Sequence, residues 1–276
     1  MKAATAASAS ASAKIPPALR GAATLWLIRI GAIVLPLVTW QAFGYWHIVN
    51  PVLSGTPTLI FQTFFQYLGN GTVMFDLVYT LIEVVAGLLI GVVLGVGASL
   101  ILARYATLRS ALNPLITALN SMPRIALAPL FVLWFGLGPG PRVAQSVSLV
   151  FFVMLLTTLA AFTQPDRDFE LLAATLGATK RQFMRLFVFP NAVPAIAAGL
   201  ELSVAVSFVG VIVGEMTSGQ YGLGVLIVED GTTFNTNGLM AVLLILLIVA
   251  GASSLAFHVL VRRMTTWHSV ERLAHK

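Results

Sequence analysis

Six apolar runs, residues 25–43, 77–102, 112–135, 143–162, 193–213 and 239–261, each approach or exceed the length needed to cross a bilayer. A spanning helix takes about 20 mainly apolar residues, and backbone polar groups in hydrocarbon must be satisfied within the segment. These runs therefore predict an all-α membrane protein, a polytopic bundle of about six transmembrane helices. Only 9% of the 276 residues are charged and 58% are hydrophobic, which excludes an ordinary soluble domain. No alternation of period two competes as a barrel signal.

The net charge of +6 invites comparison with nucleic-acid binders, but its distribution argues otherwise. Thirteen of the sixteen Lys and Arg residues fall on one side if the N-terminus is cytoplasmic. Arg142 alone falls outside, with Arg29 and Arg124 in or near spans. Basic loops mark the cytoplasmic side, so both termini and the loop at 166–190 are expected there. Residues 1–20 form an Ala/Ser-rich tract read as a disordered tail, 21–261 the membrane domain, and 262–276 a basic tail. With no cysteine there is no disulfide framework, and His47, His258, His268 and His275 show no metal-ligand spacing. No phosphate-binding loop, paired-carboxylate motif or nucleophile elbow is present, so the chain reads as a transporter component and not an enzyme.

The second span carries Gly87, Gly91 and Gly95 at intervals of four, a small-residue stripe suited to close helix contact. The third is interrupted by Pro114, Pro123 and Pro129, and the residues leave two readings open: a span from Leu112, or an interfacial piece followed by a span from Pro123. Intramembrane charges are costly and each needs a reason. Arg29 is placed to snorkel and Glu83 to reach the outer interface. Asn120, Arg124, Glu201, Ser203, Ser207 and Glu215 are candidates for a translocation path, being polar residues in or beside spans.

The long polar interruption, DRDFELLAATLGATKRQFMRLFVFP at 166–190, is too charged to span but has helical apolar spacing. Phe169, Leu172 and Leu176 fall on one face, Asp166 or Asp168 offers a start, Gly177 breaks the run, and a second piece from Lys180 leads to Pro190. Such an element lies on a lipid surface or in a partner's groove.

Ala173, Gly177 and Pro190, thirteen residues after the glycine, together with SMPRIALAPLFVLWFGLG (121–138) and VGEMTSGQYGLGVLI (213–227), resemble permease subunits of binding-protein-dependent ATP-binding-cassette importers, in the nitrate, sulfonate and taurine branch. The resemblance covers 77–261. The family's signature glutamate position is occupied here by Leu171, with Glu170 one residue early, and the residues before the proline are Phe187 and Phe189.

The resemblance implies a bacterial inner-membrane subunit that binds no cofactor itself. ATP and Mg belong on partner ATPase subunits, and a second permease copy, a periplasmic solute-binding protein and membrane lipid complete the partners, with no nucleic acid. It casts the helix between spans four and five as the cytoplasmic coupling element, with Gly177 as its turn, Phe169, Leu172 and Leu176 as its apolar face, Ala173 and Pro190 completing the motif, Glu170 as an acidic contact, and Lys180, Arg181 and Arg185 as rim charge. In the family the Glu201 position is more usually basic and the Arg124 position neutral, so a charge exchanged between helices implies an Arg124–Glu201 pair across spans three and five; the alternative is that each reaches interfacial water. A small anion such as nitrate, a sulfonate or taurine is the implied cargo. A vitamin precursor and a gradient-driven transporter or channel acting alone stand as alternatives.

Overall fold

The computed structural model describes residues 22–46, 48–165 and 167–264. The tract 1–20, His47, Asp166 and the tail from 265, with His268 and His275, lie outside the described residues. The chain divides into two compact units, 1–59 and 60–276.

In the first unit, α1 (Ala22–Tyr45) is apolar throughout and contains Pro36. Arg29 does not project freely: its guanidinium lies over the ring of Trp26, 5.3 Å from the centroid. A short α2 (Pro51–Ser54) follows, and the Gln41 carbonyl oxygen accepts from both the backbone N–H and hydroxyl of Thr58 at 3.2 Å. Thr58 stands in the first turn of α3 (Pro57–Gly69), which continues into the second unit.

The second unit is built on three long helices: α4 (Thr72–Arg104), α7 (Pro139–Thr163) and α10 (Phe189–Ser218). Between the first two come α5 (Ala106–Ser121), a 3-10 turn (Arg124–Leu127) and α6 (Ala128–Phe135). After α7 the chain forms α8 (Arg167–Thr175), the single turn α9 (Lys180–Phe183) and a π-helical turn (Met184–Val188) that runs directly into α10. The chain then passes through α11 (Leu223–Thr232) to α12 (Thr236–Met264). The third apolar run is broken: α5 ends at Ser121 and meets the 124–135 piece at an 85° bend, so no single straight helix runs from Leu112. Pro123 supplies the cause: it removes a helical donor and pushes Met122 to an extended ψ of 133°. Among the described residues, five helices are long and apolar enough to cross a membrane, or six with the bent pair as one span.

The core is a contact of α7 with both neighbours. Val84 and Leu88 of α4, Val150 and Met154 of α7, and Val204, Phe208 and Val211 of α10 form one buried cluster. The stripe on α4 does what its spacing predicts: a Cβ on Gly91 would stand 2.7 Å from the Val150 side chain, and one on Gly95 2.6 Å from the Phe151 carbonyl oxygen. An adjoining side of α7 is approached in the same way. A Cβ on Gly210 would meet the Ser146 Cα at 2.5 Å, and one on Gly214 the Arg142 Cα at 2.6 Å. In lipid there is no hydrophobic force between helices, so this backbone proximity is what holds the bundle together.

Gly91→Leu is expected to lower the thermal unfolding temperature in detergent, at a cost of about 1–3 kcal/mol or more from overpacking. Gly97→Ala, on the same helix but with nothing within 4 Å of its added Cβ, should leave it unchanged; equal losses in the two would refute the packing role.

Candidate functional site

The polar interruption between α7 and α10 is a defined structure. Helix α8 carries Asp168 and Glu170 in its first turn, favourable to the helix dipole. It ends in a Schellman motif: the Ala178 N–H donates to the Ala173 carbonyl at 2.9 Å and the Gly177 N–H to Ala174 at 3.1 Å. Gly177 closes the turn at φ +64°, a conformation that costs any β-branched residue heavily. A capping box follows, with the Gln182 N–H donating to the Thr179 hydroxyl at 3.4 Å and the Thr179 N–H to the Gln182 side chain at 2.9 Å. Lys180 and Arg181 are exposed on that turn, and Pro190 is the second residue of α10, just after the π-helical turn that leads into it.

The expected apolar face is divided in two. Phe169 is half-buried, 6.2 Å ring to ring from Phe187, and Ala173, four residues on, is buried beside it. Leu172, Leu176 and Leu171 are left open at 47%, 68% and 59% exposure, and Glu170 is exposed too. Helix α8 is thus anchored to its own chain through Phe169 and Ala173 while these leucines are left open.

The path candidates divide differently. Ser203, Ser207 and Glu215 have almost no exposed surface; Ser207 and Glu215 bond to other elements, and Ser203 to its own helix. Ser203 donates to the Gly199 carbonyl at 2.7 Å; the Ser207 hydroxyl donates to Val84 O of α4 at 2.9 Å and lies 2.8 Å from the Ser146 hydroxyl of α7. Glu215 accepts from the Thr80 hydroxyl and the Gly224 N–H, both at 2.7 Å. Asn120 is exposed and accepts from the Arg124 guanidinium at 2.7 Å, and that guanidinium lies 4.1 Å over the Phe152 ring. Glu201 is partnered by His258 of α12 at 3.0 Å, with both side chains 40% exposed. The expected Arg124–Glu201 pair is therefore not formed: the bend at Pro123 brings Asn120 and Phe152 to the guanidinium, and α12 supplies the partner for the carboxylate.

The buried ion pair is instead Arg142–Glu83 at 2.7 Å, with side-chain exposures of 3% and 4%. Both residues are buried within the protein, each as the other's partner. Arg142 also donates to the Tyr221 carbonyl at 3.2 Å, while the N–H groups of Gly222 and Leu223 donate to the Asp76 carboxylate at 2.7 Å and the Thr80 hydroxyl at 3.0 Å. With Glu215 on Gly224, each of the four residues 221–224 is held by a side chain from α4, α7 or α10. Nearby, the Tyr67 hydroxyl donates to Asp230, which also accepts from Asn235 at 2.7 Å. Burial, then the Asp230 charge, push the Tyr67 phenol up to about 12, so it remains a donor through neutral pH.

This architecture is that of an all-helical, multi-pass membrane protein. The binding-protein-dependent transport system inner membrane component family matches residues 87–266. The formylaminopyrimidine transport permease protein ThiX of Halalkalibacterium halodurans is 39% identical over 168 residues, 60% of this chain and 67% of its own. The taurine transport system permease protein TauC of Escherichia coli is 24% identical over 246 residues, covering 87% and 90%. Among solved structures, a chain of the inward-facing MetNI methionine ABC transporter superposes with a TM-score of 0.57 at 18% identity, over 67% of this chain and 92% of that one. The chain belongs to the binding-protein-dependent transport system inner membrane component family. It is the permease subunit of an ABC importer in the inner membrane, and not itself an enzyme.

Arg142→Met strands the Glu83 carboxylate in the bundle and is expected to destabilise by about 3–5 kcal/mol in a detergent melt. Adding Glu83→Leu should recover most of that loss; a double variant as unstable as the single one would show that the charge was not the cause.

Proposed function

We propose that this permease couples to a separate ATPase through α8 and carries a small anion. The observation behind the coupling reading is the set of exposed leucines on and just after α8, Leu171, Leu172 and Leu176, on a helix anchored to its own chain through Phe169 and Ala173. A surface of that kind suits a partner's groove. Lys180 and Arg181 supply charge at its rim, and Glu170 stands beside the leucines as an acidic contact. The bias of Lys and Arg puts this segment and both termini in the cytoplasm. Two copies would line one path, an external binding protein would deliver cargo, and ATP with Mg would be held by the ATPase. Closure of the ATPases would switch a bistable bundle between two facings.

The anion reading rests on Arg124, a half-buried guanidinium at the break of the third span, partnered by an amide and an aromatic ring and by neither of the ion-pairing carboxylates, Glu83 and Glu201. Taurine permease TauC and the putative aliphatic sulfonates permease SsuC of Bacillus subtilis, 25% identical over 240 residues, favour a sulfonate. The 39% identity to the formylaminopyrimidine permease favours a vitamin precursor as the second reading.

Leu172→Asp with Leu176→Asp is expected to abolish co-purification of the ATPase in mild detergent. Gly177→Val should retain the ATPase but cut transport at least tenfold relative to hydrolysis; unimpaired transport by that variant, or a purified permease that transports alone in liposomes, would defeat the coupling reading. For the cargo, Arg124→Gln should raise the KM for taurine uptake by about tenfold, the worth of a charge-assisted hydrogen bond. An unchanged KM, with uptake of a neutral pyrimidine instead, would favour the vitamin-precursor reading.

A further inference from the structure

A cavity of about 1040 Å³ opens where the ends of α4, α7 and the 180–189 segment meet. Four basic residues line it, Arg104, Lys180, Arg181 and Arg185, and neither ion pair formed among the described residues involves any of them. The rest of its wall is apolar: Leu100, Phe162, Met184 and Phe189. Leu100, Met184 and Phe189 are 44%, 42% and 57% exposed.

The cavity also has a defined depth. Arg104 is the last residue of α4, Phe162 the last but one of α7 and Phe189 the first of α10. At 33 residues α4 is about 50 Å long, well beyond the ~30 Å hydrocarbon core, so its end reaches the headgroup layer. Leu100, Phe162 and Phe189 lie on the long helices, Arg104 ends one of them, and Lys180, Arg181, Met184 and Arg185 lie on the segment that leads into α10. A soluble anion would answer the four charges and leave the apolar wall bare. An acidic ATPase surface would do the same, and the leucine face suited to a protein partner is on α8, whose residues do not line the cavity. An amphiphile with an anionic head matches both parts.

We propose that this cavity is a binding site for an anionic phospholipid, its phosphodiester held by Arg104 and Arg185 with Lys180 and Arg181 around it, and its acyl chains against Leu100, Met184 and Phe189. Guanidinium groups bind phosphate oxygens in bidentate fashion, and basic pockets at the ends of spans select anionic headgroups. A lipid seated there contacts the turn that joins α8 to α10, so it would stiffen the segment through which coupling is proposed to run. The binding claim itself needs only the span ends and does not rest on the coupling or cargo readings.

The test is native mass spectrometry of the full chain, titrated with dioleoylphosphatidylglycerol or dioleoylphosphatidylcholine. Phosphatidylglycerol should be retained selectively. Arg104→Gln with Arg185→Gln should weaken that retention by on the order of thirtyfold, at about 1 kcal/mol for each charge, with the detergent melting temperature unchanged. Arg109→Gln, a basic residue of α5 that does not line the cavity, should have no effect. Met184→Ser should weaken the lipid but not soluble glycerol phosphate. Equal retention of the two lipids, equal loss in Arg109→Gln, or glycerol phosphate binding as tightly as the lipid would overturn the proposal. So would loss of the bound lipid when the ATPase is added, which would make the cavity a protein-docking surface.

Discussion

Everything in the second unit depends on how closely α4 and α10 approach α7. Lipid gives helices no hydrophobic reason to associate, so contact has to come from dispersion between surfaces that fit and from hydrogen bonds made once they do. Gly87, Gly91 and Gly95 bring α4 onto one side of α7, and Gly210 and Gly214 bring α10 onto another. At these positions even a methyl group would collide with a side chain or the backbone of α7. The Ser146–Ser207–Val84 hydrogen-bond chain follows from that proximity, since hydroxyls can link three helices only where their backbones nearly touch.

The same proximity explains why a bundle in lipid tolerates Arg142 and Glu83. Gly214 presses on the Arg142 backbone, which closes the site around the pair and excludes lipid from it. The guanidinium then reaches the Tyr221 carbonyl, and Asp76, Thr80 and Glu215 take the next three N–H groups. A turn that would otherwise leave several backbone groups unsatisfied thereby has four of them paired, the Tyr221 carbonyl and the N–H groups of Gly222, Leu223 and Gly224. Charges that look like liabilities along one helix are, across three helices, the groups that fix this turn.

How much of this was legible in the sequence follows from the range of each interaction. The apolar runs, the four-residue glycine repeat of α4 and the broken third run are local patterns, and each reports the element it belongs to. The Arg142–Glu83 pair joins residues 59 apart, and nothing near either one names the other. The Arg124–Glu201 pair, implied by a charge exchanged relative to the family pattern, failed for the same reason: that pattern says nothing of His258 and Asn120, the partners the fold supplied. Gly210 and Gly214 share the four-residue spacing, but Gly210 falls within the run 193–213 and Gly214 just past it, so the run's boundary divides the pair. Thr179 and Gln182 carry the i, i+3 spacing of a capping box in plain view. The division of the α8 apolar face was not legible, since helical periodicity puts Phe169, Leu172 and Leu176 together and only packing against Phe187 decides which of them turns inward.

The connection from α8 to the core is short and has little slack. The Schellman turn at Gly177 and the Thr179 capping box leave few free backbone groups between α8 and α9, and the π-helical turn at 184–188 continues without a break into α10. A π turn is a wide, weaker piece of helix where bending is cheapest. Above it, α10 is locked to α7 by Gly210 and Gly214 and to the 221–224 turn by Glu215. Force applied to the open face of α8, as the coupling proposal requires, would therefore pass through one soft turn into a helix gripped at its far end. Phe183 and Phe187, stacked 6.0 Å apart across that turn, with Phe169 against Phe187, stiffen it from one side. On the other side Arg185 and Met184 face the basic and apolar cavity, so the occupant of that cavity would set how freely the turn bends.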